Sequence, residues 1–528
     1  MKCGGSVFLP LASNLLPLKG EIGMRPTFLG FEASKSALFA SQKALDITGN
    51  NLANINSKGY TRQRVDQVSV NYMNPNTAAG YLHNQVSLAG QGTNVIGIGQ
   101  TRDKLLDTAF RNQSADVGDY ATRSAVMTDI EDALQEYDLG RDGNGYGLRN
   151  AVGELFDALE DFSTDAGNPT FAAVTSDAFE NVVRSIRETT EALDEVAVKY
   201  KDSLATDVSD VNQYLNEIAD YNKRIKDALV SNEYTSEYGP NELLDARNEV
   251  LDNLSTYGEI GVSYNNDGTI NVSIGSKTAV KGLEVDELMY SENTDGTVNV
   301  LWKSTAQPAD TGKGIISAES KLINGRGIGI QNGTESTDRG IMYYKDKINS
   351  FAVRFAAICN NTIPNEVDAD GNVLSYKKLV GCETADGSVY PDMHVDANNI
   401  WITDELSESA TYLLTDNGKN TDNSGLLNLT AKLTNSQFEF DGFTGTFENF
   451  VSDYVVTLGS DLSYINENYE AAVTVGNNIS EMRDSVTGVS ETEETANMLM
   501  YNRAFQAASR MMTVMDDLLN VIINQMAV

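Results

Sequence analysis

The stretch that decides the fold is MLMYNRAFQAASRMMTVMDDLLNVIINQM, residues 498–526. Met498, Tyr501, Phe505, Ala508, Met512, Met515, Leu519, Ile522 and Met526 alternate steps of three and four without a break, the pattern of a helix with one apolar seam. Near the other end of the chain Phe31, Leu38, Leu45 and Leu52 recur every seven residues, with Ser34, Ser41, Thr48 and Ile55 at the intermediate step. A helix with so narrow a seam is marginal alone in water. The two are therefore expected to pair with each other, with copies of themselves, or both. Because Ser34, Ser41 and Thr48 thin the apolar surface, neighbouring molecules are expected to complete its burial. The expected subunit-interface residues are Phe31, Leu38, Leu45, Leu52, Ile55, Met498, Tyr501, Phe505, Met512, Met515, Leu519 and Ile522.

Working inward, a first helix is predicted from about Thr27 to Ser57, closed by Lys58 and Gly59. Val68, Val70 and Tyr72 then alternate with polar residues, and strand-like runs continue from Gly80 to Gly99. Helix resumes near Arg102 and runs to Tyr137, the glycine-rich run Gly140 to Gly147 is a loop, and a short amphipathic helix follows. The longest helix shows Ile186, Thr190, Leu193, Ala197, Tyr200, Leu204, Val208, Val211, Leu215, Ile218, Asn222, Ile225 and Leu229 on one line. Its only irregularity is a stutter of two adjacent four-residue steps near Leu204 and Val208. A helix from Asn241 to Leu254 ends near Gly258, and the period then changes to two. Val262 and Tyr264, the turn Asn265-Asn266-Asp267-Gly268, then Ile270, Val272 and Ile274 read as a hairpin. Strands are expected to about Ile330, one helix from Ile341 to Ala357, turn-rich structure to about Gly442, and helix again from Phe447 to Arg483.

The expected fold is mainly α with a β-rich insertion (α+β): paired N- and C-terminal coiled-coil helices, a long helical-bundle shaft and an inserted β-rich domain. Its expected divisions are a disordered leader, 1–23; a terminal coiled-coil domain, 24–60 with 485–528; a shaft, 61–258 with 338–362 and 443–484; a β-rich insert, 259–337; and an irregular segment, 363–442. The leader carries Val7-Phe8-Leu9 and Leu15-Leu16, but Pro10 and Pro17 interrupt it, no small-x-small cleavage site follows, and Met24 offers a second start.

With 75 acidic against 39 basic residues and a net charge of -36, the 528-residue chain disfavours nucleic acid, whose phosphates call for clustered Lys and Arg. The sequence has no run of eighteen apolar residues, the length a bilayer-spanning helix needs. The acidic flank of the C-terminal helix, Glu491, Glu493, Glu494, Asp516 and Asp517, also argues against insertion into anionic lipid. Cys3, Cys359 and Cys382 are too few for a disulfide framework, though Cys359 and Cys382 could pair. The two histidines, His83 and His394, give a triad or zinc site almost no material. Glu366, Asp368, Asp370 and Gly371 imitate a calcium loop, but the twelfth position is Lys377, so a hairpin turn is expected. Gly312-Lys313-Gly314 and Gly97-Ile98-Gly99 are bends rather than phosphate or dinucleotide loops. No enzyme, cofactor or metal site is expected.

Asn50-Asn51-Leu52-Ala53-Asn54-Ile55-Asn56-Ser57-Lys58-Gly59-Tyr60 resembles the N-terminal signature of bacterial flagellar rod, hook and hook-associated proteins. The continuation Thr61-Arg62-Gln63 is similar to that of the flagellar hook-associated protein 1 family. Gly488-Val489-Ser490, Glu493-Glu494, Asn497, Tyr501, Ala504 to Arg510 and Asp516 to Leu519 resemble the family's C-terminal signature, and Leu243 to Asp252 resembles its long-helix region. Ser57-Lys58 stands where the family commonly has threonine-proline. The signature positions are Asn50, Asn51, Asn54, Gly59, Tyr60, Thr61, Arg62 and Gln63. The resemblance implies a non-catalytic adaptor between hook and filament that assembles as a ring. It also implies export through the flagellar type III channel to the cell exterior. The partners it implies are copies of the chain itself, the hook protein, the second junction protein (hook-associated protein 3) and a cytosolic chaperone at the C-terminal helix. A secreted surface adhesin and a hook or rod protein are the alternative readings.

Overall fold

A computed structural model describes residues 27–70, 92–134, 147–231, 238–327, 338–367, 372–391, 393–415, 422–435, 438–440 and 443–524. The leader 1–23, Cys3, His83, the run from Gly80 to Leu88, the loop from Gly140 to Tyr146 and Met526 lie outside these residues. The helices are α1 (Thr27–Ala53), α2 (Lys104–Leu134), α3 (Leu148–Thr164), α4 (Pro169–Val230), α5 (Asn241–Tyr257), α6 (Ile315–Asn324), α7 (Ile341–Asn360), α8 (Asp404–Glu408), α9 (Ser424–Asn435), α10 (Phe447–Thr487) and α11 (Glu491–Asn524). The early strands are β1 (Gln63–Ser69), β2 (Thr93–Gln100), β3 (Ile260–Tyr264), β4 (Ile270–Ile274), β5 (Lys277–Lys281), β6 (Glu284–Val285), β7 (Leu288–Glu292) and β8 (Val298–Trp302). After α7 come β9 (Pro364–Val367), β10 (Val373–Tyr376), β11 (Val380–Glu383), β12 (Val389–Tyr390), β13 (Ile400–Ile402), β14 (Phe438–Phe440) and β15 (Phe443–Gly445). The chain is mainly α with β-rich insertions, as its periodicity implies.

The chain forms two compact units, one containing the residues up to Thr101 and from Val489, the other Arg102–Gly488. In the first, β1 and β2 pair antiparallel, Gln63 opposite Gln100, and both pack on α1, which packs along α11. The hairpin thus belongs with the terminal helices, whereas the sequence reading gave residues 61 onward to the shaft. Strand periodicity reports a half-buried face but not which helix covers it.

In the second unit α4, 62 residues long, is the organising rod. Asn168 caps it, its Oδ1 accepting from Thr170 N at 2.9 Å, and Pro169 occupies the first turn, where a missing N–H costs nothing. Every position on its predicted line from Ile186 to Ile225 is buried. The one amide on that line, Asn222, anchors the sheet β3-β4-β5-β6. Its Nδ2 donates to Ile270 O at 2.9 Å and Gly282 O at 2.7 Å. Its Oδ1 accepts from Ile270 N at 3.1 Å and Arg247 Nη1 at 2.9 Å. With all these partners made, a buried polar residue fixes where the sheet sits.

One hydrophobic core runs from Val126 to Ile465, taking in α2, α3, α4, the β3–β8 strands, α7 and α10. Neither the 259–337 insert nor the 363–442 segment builds a core of its own. The insert also contains α6, where strands were expected; Ile316, Leu322 and Ile323 join the common core. Strands β3 and β4 form the expected hairpin, with Tyr264 opposite Ile270 and Gly268 at φ +79°. Strands β9 and β10, flanking the calcium-loop look-alike, pair antiparallel as a hairpin. Cys359 and Cys382 are both buried and free rather than paired.

Where the chain enters and leaves this unit, three arginines and three aspartates clasp α2, α5 and α10. Arg102 meets Asp107 at 2.6 Å and Asp245 at 3.8 Å, and Arg111 meets Asp252 at 2.8 Å. Arg483 meets Asp107 at 3.0 Å and also pairs with Asp252. Each charge is largely buried and each has an opposite charge beside it, the condition under which buried ions are tolerated.

Glu319 of α6 is 2% exposed and faces Ser203 and Asp207 of α4. Burial, opposed by the Ser203 hydrogen bond and reinforced by the negative Asp207, pushes its carboxyl up from 4.5 to about 8. The folded chain then holds a proton that the unfolded chain releases above 4.5, so stability falls as pH rises from 4.5 to about 8. The Glu319→Gln variant is expected to match the parent in melting temperature near pH 5 and to exceed it at pH 8. Calorimetry at the two pH values checks this; a parallel loss or gain at both would disprove it.

Candidate functional site

Helices α1 and α11 run antiparallel. A Cβ built on Gly30 would lie 2.6 Å from Met515 Cε, and toward the opposite ends Asn51 Nδ2 donates to Glu494 Oε2 at 3.2 Å. Both helices advance equally between these contacts, over about 31 Å at 1.5 Å per residue. From Met498 to Asn524 only Met498, Tyr501, Phe505, Ala508, Met512, Met515 and Leu519 are withdrawn from solvent. That is the predicted seam as far as Leu519; Ile522 is 43% exposed.

On α1 the centre of the seam differs from the reading. Phe31, Leu38, Leu45, Leu52 and Ile55 are only half-buried, while Ser34, Ala40, Ser41, Ala44, Ile47, Thr48 and Asn51 are buried. The reason is size: the large methionine and aromatic side chains of α11 need small residues opposite. The hydroxyls go in at little cost because they bond within their own helix. Ser34 Oγ donates to Gly30 O at 2.9 Å and Ser41 Oγ to Ala37 O at 2.8 Å.

The family-signature residues meet at one end of this pair. Asn51, 1% exposed, is the hub. Its Oδ1 accepts from Tyr60 Oη at 2.8 Å and from Gln63 N at 3.0 Å, while its Nδ2 donates to Gln63 O at 2.8 Å. Asn50 Nδ2 donates to Tyr60 Oη at 3.3 Å, and Asn54 Nδ2 to the backbone and side chain of Asn50, both at 3.0 Å. The turn that returns Tyr60 to Asn51 passes through Gly59 at φ +77°, a conformation glycine adopts without steric cost. Thr61 is buried beside it. Arg62 Nε donates to Glu494 Oε1 at 2.8 Å and its Nη1 reaches Glu493 Oε2 at 2.9 Å. The α11 start is itself capped, Ser490 Oγ accepting from Glu493 N at 3.4 Å, with Glu491, Glu493 and Glu494 in the positive first turn.

The signature is thus a polar latch. It ties the end of α1, the first strand and the start of α11 into one network, and Asn51 and Glu494 are 443 residues apart in sequence. Glu494, 2% exposed, is the member left out of the expected site residues, although Glu493-Glu494 stands in the C-terminal stretch that resembles the family signature. A second clip was also missed: Ser36 Oγ accepts from Thr93 N at 3.2 Å, and Gly92, at φ +93°, comes so close to Ser36 that a Cβ would sit 2.2 Å from its Oγ. No sequence pattern marks that contact. Among the described residues no group of three or more His, Cys, Asp or Glu is placed to hold a metal.

A further feature of α11 was not foreseen. Met500, Ala504, Ala507, Met511, Val514, Leu518 and Val521 also alternate steps of four and three, each one residue before a seam residue and hence about 100° round the helix. All seven are exposed, Met511 by 48%, Val514 by 51% and Leu518 by 49%. One apolar stripe of α11 is spent on α1, and a second is open.

Three family models match the chain. Residues 31–61 match "Flagella basal body rod protein", 127–375 "Flagellar hook-associated protein FlgK helical domain", and 485–526 "Flagellar basal body rod FlgEFG protein C-terminal". Flagellar hook-associated protein 1 of Bacillus subtilis is 27% identical over 96% of this chain and 99% of its own length. Over nearly its whole length the chain is similar to the flagellar hook-associated protein 1 family. It is a structural component of the bacterial flagellum. Flagellar hook-associated protein 1 of Salmonella typhimurium is 24% identical over 64% of this chain and 57% of its own. The flagellar hook junction protein FlgK from Burkholderia pseudomallei aligns in structure over 52% of this chain and 46% of that one, at 17% identity and TM-score 0.41.

The latch predicts a local effect. Glu494→Ala removes the acceptor shared by Arg62 and Asn51 and should cost the α1–α11 unit about 2 kcal/mol. Hydrogen exchange is expected to quicken in α1 and α11 while the transition of residues 102–488 stays put. Unchanged protection of α11 would show that the latch holds nothing.

Proposed function

We propose that this chain is the adaptor between flagellar hook and filament, a non-catalytic protein that assembles as a ring by laying the open stripe of α11 against neighbouring copies. The observation that carries this reading is the second heptad line. A monomer exposing Met500, Met511, Val514, Leu518 and Val521 along one helix presents the kind of continuous apolar strip that marks an interaction surface. The subunit contacts expected at Met498, Tyr501, Phe505, Met512, Met515 and Leu519 accordingly move one residue back along the helix, because those side chains face α1. Phe31, Leu38, Leu45, Leu52 and Ile55, half-buried at the margin of the α1–α11 pair, become a border that a neighbour completes.

On the same reading the hook protein lies on one side of the ring and the second junction protein, hook-associated protein 3, on the other. Before export the stripe needs cover, and a cytosolic chaperone on the C-terminal helix supplies it. The chain leaves through the flagellar type III channel without a cleaved signal peptide and works outside the cell. Two free thiols, both buried, place no covalent crosslink in the way of unfolding for transit.

Two adjacent substitutions separate assembly from folding. Leu518→Asp, on the open stripe, should leave the circular dichroism and melting of the monomer unchanged yet abolish filament attachment in cells relying on it. Leu519→Asp, on the α1-facing seam, should lower the stability of the α1–α11 pair by about 2 kcal/mol. Normal filaments with Leu518→Asp would rule out the stripe as the subunit contact.

A further inference from the structure

A closed ring asks for two different surfaces. A stripe that met only its own copy would make a two-fold dimer and stop, whereas a head-to-tail contact between unlike patches repeats round an axis until it closes. The open stripe of α11 therefore needs a second face on the same unit, and α1 carries one. Glu32, Lys35, Phe39, Gln42 and Asp46 follow steps of three and four, about half a turn round from Ser34, Ser41 and Thr48, and all five are exposed. Phe39, 58% exposed, is the large apolar side chain on this line. It stands in a groove of 650 Å³ that runs from Glu32 to Asp46, with Thr93, Asn94 and Val95 of β2 along its other wall.

The register inside the unit fixes what lies opposite in a ring. Rotation about an axis along the helices leaves heights unchanged, so a neighbour's α11 passes this α1 antiparallel and at the level of the chain's own α11. Between the Gly30–Met515 and Asn51–Glu494 contacts the two helices advance residue for residue. Phe39, nine residues past Gly30, is thus level with Gln506, nine before Met515, and falls between Ala504 and Ala507 of the stripe. Those alanines form a gap bounded by Met500, 54% exposed, and Met511, 48% exposed. An aromatic ring over two alanines between two methionines is a knob above a hole. The groove from Glu32 to Asp46 spans the same levels, 513 to 499. Asp46 and Arg503 are both exposed, neither has an ion pair among the described residues, and they come within about one turn of the same level. Lys35 is already held by Glu32 at 3.8 Å.

We infer that the α1 groove takes the open α11 stripe of a second copy, with Phe39 seated between Ala504 and Ala507, and that this contact repeats head to tail round the ring. The inference rests on that stripe being the subunit contact and names the surface it meets. The stripe lies about 100° round α11 from the seam held by α1, so successive copies turn through an angle instead of stacking in a straight row. Phe39, Ala504 and Ala507 are exposed in the single chain, and replacing them leaves the fold of the monomer in place.

The test uses the full chain as the sole copy in the cell and reads the amount retained on detached flagella at equal expression. Phe39→Ala should lower retention about tenfold, the loss expected when an aromatic buried at a contact is truncated, with hydrogen exchange of α1 and α11 in the monomer unchanged. Ala507→Phe, which fills the gap, should also lower it. The pair Phe39→Cys with Ala507→Cys, oxidised on assembled flagella, should give a ladder at multiples of the 57.3 kDa chain, while each single variant gives no more product than the parent. Dimers from Ala507→Cys alone would show stripe against stripe and overturn the inference. So would a crosslink confined to one chain, a crosslink to a different protein, or parental retention by Phe39→Ala. If Leu518→Asp blocks assembly and the cysteine pair gives no ladder, the stripe stands and the groove alone is refuted; if Leu518→Asp assembles normally, both fall.

Discussion

The terminal unit depends on the carboxylate of Glu494, buried against Arg62 and Asn51. A seam of methionines against serines and alanines supplies little apolar area, and any seven-residue slip would bury nearly as much. Charged hydrogen bonds discriminate where the seam cannot, because a slipped pairing leaves a buried carboxylate and amide without partners, and that is costly in a low-dielectric setting. The latch converts a sticky pair of helices into one with a defined alignment. It also gives the asparagine-rich signature a structural task.

The same device recurs in the larger unit. Asn222, alone among apolar neighbours on the α4 line, holds a strand and a turn of the β3–β6 sheet against the rod. The three arginines and three aspartates around Arg483 and Asp107 clamp α2, α5 and α10 where the chain passes in and out. In each case burial of apolar surface provides the bulk of the stabilisation, and a fully satisfied polar group selects one arrangement. The single core from Val126 to Ile465 then makes helices and strands one mechanical body.

A helix with two adjacent apolar stripes has a distinct thermodynamic character. Burying the first stripe on α1 orders the chain's own termini, and the second remains exposed until another surface covers it. Ordering the pair before assembly lowers the entropic cost that each incoming neighbour would otherwise meet. The open stripe also makes the free chain prone to unwanted association, which accounts for the strongly acidic surface as a solubilising counterweight.

Much of this was legible in the residues. Heptads report directly which side of a helix avoids water, so the α11 seam was readable position by position to Leu519, and the α4 line from Ile186 to Ile225 likewise. The hairpin turn at Asn265 to Gly268 was readable because positive φ leaves few residue choices. Packing partners were not. Residues Ser34, Ala40 and Ala44 look weak on a hydropathy scale, yet they form the centre of the α1 face, because what fits between two helices depends on the size of the side chains opposite. The helix α6 and the attachment of the β1–β2 hairpin to α1 were likewise matters of which surface was available to cover them. The sequence by itself determined the periodicities and the resemblance carried by its two terminal signatures; only the tertiary structure decided that Glu494 closes the latch and that α11 has a face to spare, since both depend on contacts between residues hundreds of positions apart.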